Sequence, residues 1–341
     1  MSFDDGLLDD ETALTRADVR LRGLAESGAR VRREAAAAAE VMAEAVERLG
    51  EGQPRAVVAA GPDSRLLRAV LEPVCPVPFV AWPAPGLPGW AGSLDLVVVL
   101  APQGDDHATA GAVAEAVRRG CLLVVAAPEG SLVARHAQGR YVTLLPTHST
   151  DQLAVAVAVL ALLDQVHLGP RTDPDVVADA LDEVAVSCSP HRDLAVNPAK
   201  ILAIGIAEDN PVFWGGTVLA ARAGRRIAES IRRTTGRAAL AADAEHLLPV
   251  LEATARADVF ADPFADPDGL AERRPVLVVL DDGSDEPDTV ETRDRLVEVA
   301  EQRGVRVETI SSAAEGDVAR YAAMLSTGTY AAAYLQIGLG A

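Results

Sequence analysis

Residues 94–128, LDLVVVLAPQGDDHATAGAVAEAVRRGCLLVVAAP, constrain the fold more than any other stretch of this chain. The run 94–100 is short and rich in Val, which predicts a buried strand rather than a helix. A polar loop follows, and then 108–119 repeats Ala and Val at helical spacing and closes on two Arg before Gly120, a helix stop. The run 121–127 is apolar again. A strand–loop–helix–strand unit of this kind forces two parallel strands covered by helices. Ligands of such sheets sit outside the carboxyl ends of the strands, which directs attention to the loop 102–109.

The rest of the first half repeats the pattern. Residues 9–50 read as helical, with an Ala-dense run REAAAAAEVMAEAVERLG ended by Gly50 and Gly52, and with Glu34, Glu40 and Glu44 on a solvated face. Strands are predicted at 55–60, 77–82 and 141–145. Gly61, Pro62, Asp63 and Ser64 form a turn in which Asp63 or Ser64 caps the next helix. A long apolar helix over 150–168 closes a sheet of about five strands. A polar link, 169–192, carries one helix and ends in SPHRDLAVNPAK, where two prolines bracket an extended turn.

The second half follows the same plan. PVFW at 211–214 reads as a strand, Gly215, Gly216 and Thr217 as a tight turn, and 218–233 as a helix. Strands at 238–242, 275–280 and 305–310 alternate with helices at 244–255, 286–303 and 317–339. Residues 258–274, with their Asp, Pro and Gly, read as a surface loop. The expected class is therefore α/β, with two doubly wound, mostly parallel sheets. Its divisions are an N-terminal helical segment 1–50, a first α/β domain 51–168, a helical linker 169–197 and a second α/β domain 198–341.

Charge narrows the partners. With 31 basic and 50 acidic residues, the net charge is −19. That argues against nucleic acid or an anionic membrane surface. No apolar run reaches the ~20 residues of a membrane span, and the acidic start lacks the order of a signal peptide. Three scattered cysteines without a CxxC pair suggest neither zinc nor disulfides. A cytoplasmic protein without metal or cofactor is expected. Asp105, Asp106 and His107 are adjacent on one loop and so poorly placed to converge on a metal.

The run NPAK at 197–200, PVFWGG at 211–216 with the Arg-bearing helix behind it, and the ending ARYAAMLSTGTYAAAYLQIGLG give the chain a likeness. From about residue 50 to the C-terminus it resembles the bifunctional phosphoglucose/phosphomannose isomerases of the sugar isomerase (SIS) superfamily. The resemblance implies a homodimer of chains with two SIS domains each, converting aldose and ketose sugar phosphates. It also implies a carboxylate base, a ring-opening His and a Ser/Thr loop for the phosphate.

The family's phosphate loop falls on 100–107, LAPQGDDH, which has Gly104 but no hydroxyl before Thr109. Asp105 and Asp106 would each repel a phosphate by ~1 kcal/mol when solvated. The base position falls on RRTTG, 232–236, where Arg233 stands in place of Glu. His246 is the nearest candidate for the ring-opening acid, and Lys200, the only lysine, lies far from the family's C-terminal one. The candidate substrate contacts are Gly61, Asp63, Ser64, Gln103, Gly104, Thr109, Gly215, Gly216, Thr217 and Arg233. Their ligand is expected to be a small phosphorylated sugar. Arg225, Arg226, Arg232 and Arg233 are the densest basic cluster, suited to an anion or to a helix C-terminus. Two functions follow from these residues. One is an isomerase with relocated chemistry. The other is a degenerate SIS protein that senses a sugar phosphate or serves as a regulatory or structural subunit.

Overall fold

Short apolar runs become strands here because helices bury them on both faces. In the first sheet β1 (Val57–Ala60), β2 (Phe79–Trp82), β3 (Leu96–Leu100), β4 (Leu122–Ala127) and β5 (Val142–Pro146) are all parallel, in the order β2-β1-β3-β4-β5. Every residue of β1 and β3 is buried, as parallel strands with two covered faces require. The computed structural model describes residues 2–50, 52–255 and 273–340, so the expected surface loop 258–274 lies almost wholly outside the described residues.

Helices α2 (Ser27–Gly50), α3 (Ser64–Leu71), α4 (His107–Arg119), α5 (Leu132–His136) and α6 (Gln152–Gln165) accompany this half, whereas α1 (Glu11–Ala25) belongs by its contacts to the other. Asp106 caps the start of α4, and Gly120, at φ 69°, ends it in the left-handed conformation that favours glycine. Residues 154–163 of α6 are buried on every side, which explains a helix without polar face. Glu34 corrects the expectation of a solvated face. It is 1% exposed, and both carboxylate oxygens accept from the His148 amide at 3.1 Å. Its spacing from Val31, Ala38 and Ala45 places it on the buried stripe of α2.

The second sheet has four parallel strands, one fewer than the first: β6 (Asn210–Gly215), β7 (Leu240–Ala241), β8 (Pro275–Asp281) and β9 (Val307–Ser311), in the order β7-β6-β8-β9. Around them run α7 (Pro174–Ser187), α8 (Pro198–Gly205), α9 (Val218–Thr235), α10 (Ala244–Ala253), α11 (Pro287–Gln302) and α12 (Asp317–Gly338). By its internal contacts the chain splits into Ser27–Asp179 and a second unit of Met1–Glu26 with Ala180–Ala341. That division separates α1 from α2 and cuts the linker within α7.

The junction expected as an extended turn instead starts a helix. Asn197 caps α8 by accepting from the amides of Ala199 and Lys200 at 3.0 and 3.1 Å, and Pro198 takes the first position, where its missing N–H costs nothing. Lys200 is fully buried. Its ammonium donates to Asp9 Oδ1 at 2.6 Å and to the carbonyls of Pro190 and Arg192 at 2.9 and 3.1 Å, and lies 5.6 Å from the Tyr334 ring centre. Tyr334 in turn donates to the Cys188 carbonyl at 2.7 Å. The NPAK run is thus a structural latch that ties the start of the chain to α8.

Candidate active site

In a sheet of parallel strands the ligand crevice opens where the strand order reverses. In the first sheet that point lies between β1 and β3. Gly61, at φ 89°, ends β1, and a Cβ on it would stand 3.3 Å from Thr109 Oγ1. Thr109 is 3% exposed and gives both its donors to one oxygen, Asp106 Oδ2, from the hydroxyl at 2.5 Å and from the amide at 2.7 Å. Those bonds, the hydroxyl's first, hold the Asp106 carboxyl below its usual range. The α4 N-terminus, where an anion would rest on free amides, already holds an anion from its own chain.

The neighbouring candidates are also engaged. Gly104, at φ 74°, packs on Ser131 and Pro128, with no room for a Cβ, and its carbonyl accepts from the Val133 amide at 3.0 Å. Gln103 is exposed. Asp63 and Ser64 do not cap α3, which corrects that expectation. Asp63 adopts helical backbone, so its side chain turns away and accepts from Gln152 Nε2 at 2.8 Å. Ser64 is 1% exposed, and its hydroxyl has no partner among the described residues.

The second sheet reverses between β6 and β8. Gly215 and Gly216 are required there by packing. A Cβ on Gly215 would come within 2.4 Å of the Ala220 carbonyl carbon, and one on Gly216 within 2.2 Å of Thr289 Cγ2. Thr217 caps α9 by accepting from the Ala220 amide at 3.2 Å, while its hydroxyl donates to Asp282 Oδ2. Asp282 follows β8, so a carboxylate stands at the α9 N-terminus too. Sequence reasoning missed this residue, although its place just after the β8 strand was visible.

His246 and Arg233 do not join these groups. His246 is in the first turn of α10, with its side chain 68% exposed and Nδ1 3.9 Å from Glu245. Arg233 lies about 22 Å along α9 from its first residue at ~1.5 Å per residue. Its side chain is 73% exposed and pairs with Glu229 at 2.6 Å. Arg232 donates to the Ala239 carbonyl at 2.5 Å. Arg232 and Arg233 sit in the last turn of α9, at the opposite end from Thr217. No group of three or more His, Cys, Asp or Glu among the described residues is arranged to hold a metal.

Residues 195–341 match the family described as the bacterial phospho-glucose isomerase C-terminal SIS domain. That match covers less than half of the chain, and over residues 195–341 the chain is similar to a SIS domain. No curated protein sequence matches it. Its fold is shared with tagatose-6-phosphate ketose/aldose isomerase from Escherichia coli, at 14% identity and a TM-score of 0.64 over 93% of both chains. A glucose-6-phosphate isomerase like protein from Thermus thermophilus is 16% identical, with a TM-score of 0.53 over 98% of this chain and 93% of that one. The C-terminal domain of glucosamine-fructose-6-phosphate aminotransferase from Francisella tularensis is 11% identical, with a TM-score of 0.60 over 94% and 96%. The chain has two parallel sheets, and a carboxylate of its own stands at the helix start beside the reversal point of each. Among the described residues no helix is long and apolar enough to cross a membrane.

Proposed function

We propose that this protein does not isomerise sugar phosphates and serves as a regulatory or structural subunit. The observation that carries this reading is the pair of carboxylates at the helix starts, Asp106 on Thr109 and Asp282 on Thr217. A phosphate at either place would displace a bonded carboxylate or stand beside it, and like charges at contact distance disfavour one another. The absent acid–base pair points the same way. By the resemblance Arg233 stands where the base is expected, and it pairs with Glu229, while His246 stands exposed beside Glu245. Proton transfer of this type supplies about 10²–10⁴-fold in rate.

A second reading, retained affinity for a phosphorylated sugar, is favoured by the family match over residues 195–341. Two experiments test them, one for each. Purified protein is incubated with fructose 6-phosphate, and glucose 6-phosphate and mannose 6-phosphate are followed by NMR. The proposal predicts no product above a buffer control, and product that scales with protein concentration overturns it. A melting curve with the same sugar tests the second reading, since a ligand at 100 times its Kd adds about 2.7 kcal/mol.

A further inference from the structure

A cleft of about 330 Å³ opens beside β9, between α7, α8 and the first half of α12. None of its lining residues belongs to either strand-end crevice, so its occupancy is independent of theirs. Its walls are polar in a particular way. Ser187 Oγ donates to the Val184 carbonyl at 3.1 Å, with Cys188 Sγ 3.9 Å away, and Thr327 Oγ1 donates to the Ala323 carbonyl at 3.0 Å, so each hydroxyl keeps a lone pair with which to accept. β9 is the last strand of its sheet. The Leu277 amide donates to the Arg306 carbonyl and Leu277 is in register with Val307. Alternation along a parallel pair therefore turns the backbone groups of Thr309 and Ser311 outward, to the open edge that lines the cleft. Val184, Leu202 and Ile310 give it an apolar wall.

The charge is one-sided. Glu183 lines the cleft with no ion-pair partner among the described residues, and no arginine or lysine lines it. Arg320, on the first turn of α12, spends its Nε on the Ala314 carbonyl at 3.0 Å and holds Nη1 3.6 Å from Asp317. An anion would meet Glu183 with no cation among the described lining residues to offset it. A hydroxyl both donates and accepts, so several on one small ring satisfy the open backbone groups and the side-chain lone pairs together. The volume is at the low end of ligand sites, which run from about 300 to 1,000 Å³.

We propose that this cleft binds a polyhydroxylated ring of monosaccharide size that carries no negative charge, with an amine preferred opposite Glu183. The test uses the full chain and follows the amide signals of residues 311–314 by NMR. Glucose, myo-inositol, glucosamine and glucose 6-phosphate are added separately. Saturable shifts are expected with the first three, largest in affinity for glucosamine, and none with the phosphate ester. Ser187→Ala, a helix-compatible change, weakens binding about tenfold, the effect of one lost hydrogen bond. Glu183→Gln removes the preference for glucosamine over glucose and leaves glucose binding in place. The proposal is overturned if no uncharged ring moves these signals or if glucose 6-phosphate moves them as strongly. It also fails if folded Ser187→Ala binds like the parent chain.

Discussion

The two strand-end crevices reach the same end by different routes. In the first, Asp106 caps its own helix and takes both donors of Thr109, so the carboxylate and its partner lie within one turn of α4. In the second, Thr217 caps α9, and Asp282 arrives from the loop after the neighbouring strand β8. A local seal depends on one turn of helix, whereas a seal across strands depends on β6 and β8 keeping their register. The second crevice should therefore be more sensitive to packing and the first to the loss of the acid itself.

The glycines at the two crevices give the largest expected contrast. Gly215→Ala drives a methyl into the backbone of α9 and should cost about 3 kcal/mol in urea unfolding. Gly61→Ala meets only a threonine side chain and an unfavourable positive φ, for about 1–2 kcal/mol. Equal losses would erase the distinction between the two seals. Asp106→Ala removes a helix cap and should cost about 1 kcal/mol. Asp282→Ala takes one partner from a part-buried hydroxyl that also caps α9, so its cost should be smaller, about 0.5 kcal/mol.

The pH dependence sharpens the same point. The Asp106 carboxyl is held below its ordinary value, so the folded state binds fewer protons than the unfolded one near pH 4. Its contribution to stability is present above the unfolded pKa of about 3.9 and is lost as pH falls through the lower folded value. Urea midpoints measured between pH 6 and pH 3 should fall less steeply in Asp106→Asn than in the parent. Arg233→Ala, at an exposed pair on the far end of α9, should shift stability by less than about 0.5 kcal/mol.

Much of the architecture was legible because it is written in period and punctuation. Val-rich runs of strand length and glycine stops announced β3, α4 and β4 without reference to distant residues. Tertiary demands hid the rest. Glu34 looks solvated until His148 offers its amide, and nothing in the NPAK run announces that Asp9 and two carbonyls surround Lys200. Helix α8 was concealed by its own cap, because Asn-Pro reads equally as a turn. At the candidate site the sequence exposed the acidic pair Asp105 and Asp106 and the lack of any hydroxyl over residues 100–107. It could not show that Asp106 and Asp282 fold back onto helix starts, since that depends on side-chain direction and on which strands are neighbours. The β9 cleft had only a faint trace, two serines after the last predicted strand.

The occupation of both helix starts by internal carboxylates is tested most directly at the amides that those starts expose. Fructose 6-phosphate is added to the labelled protein while the Thr109 and Ala220 amide signals are followed. Both should stay unmoved to saturating sugar phosphate. A saturable shift at either one would show that an external anion reaches the site, and would contradict the account.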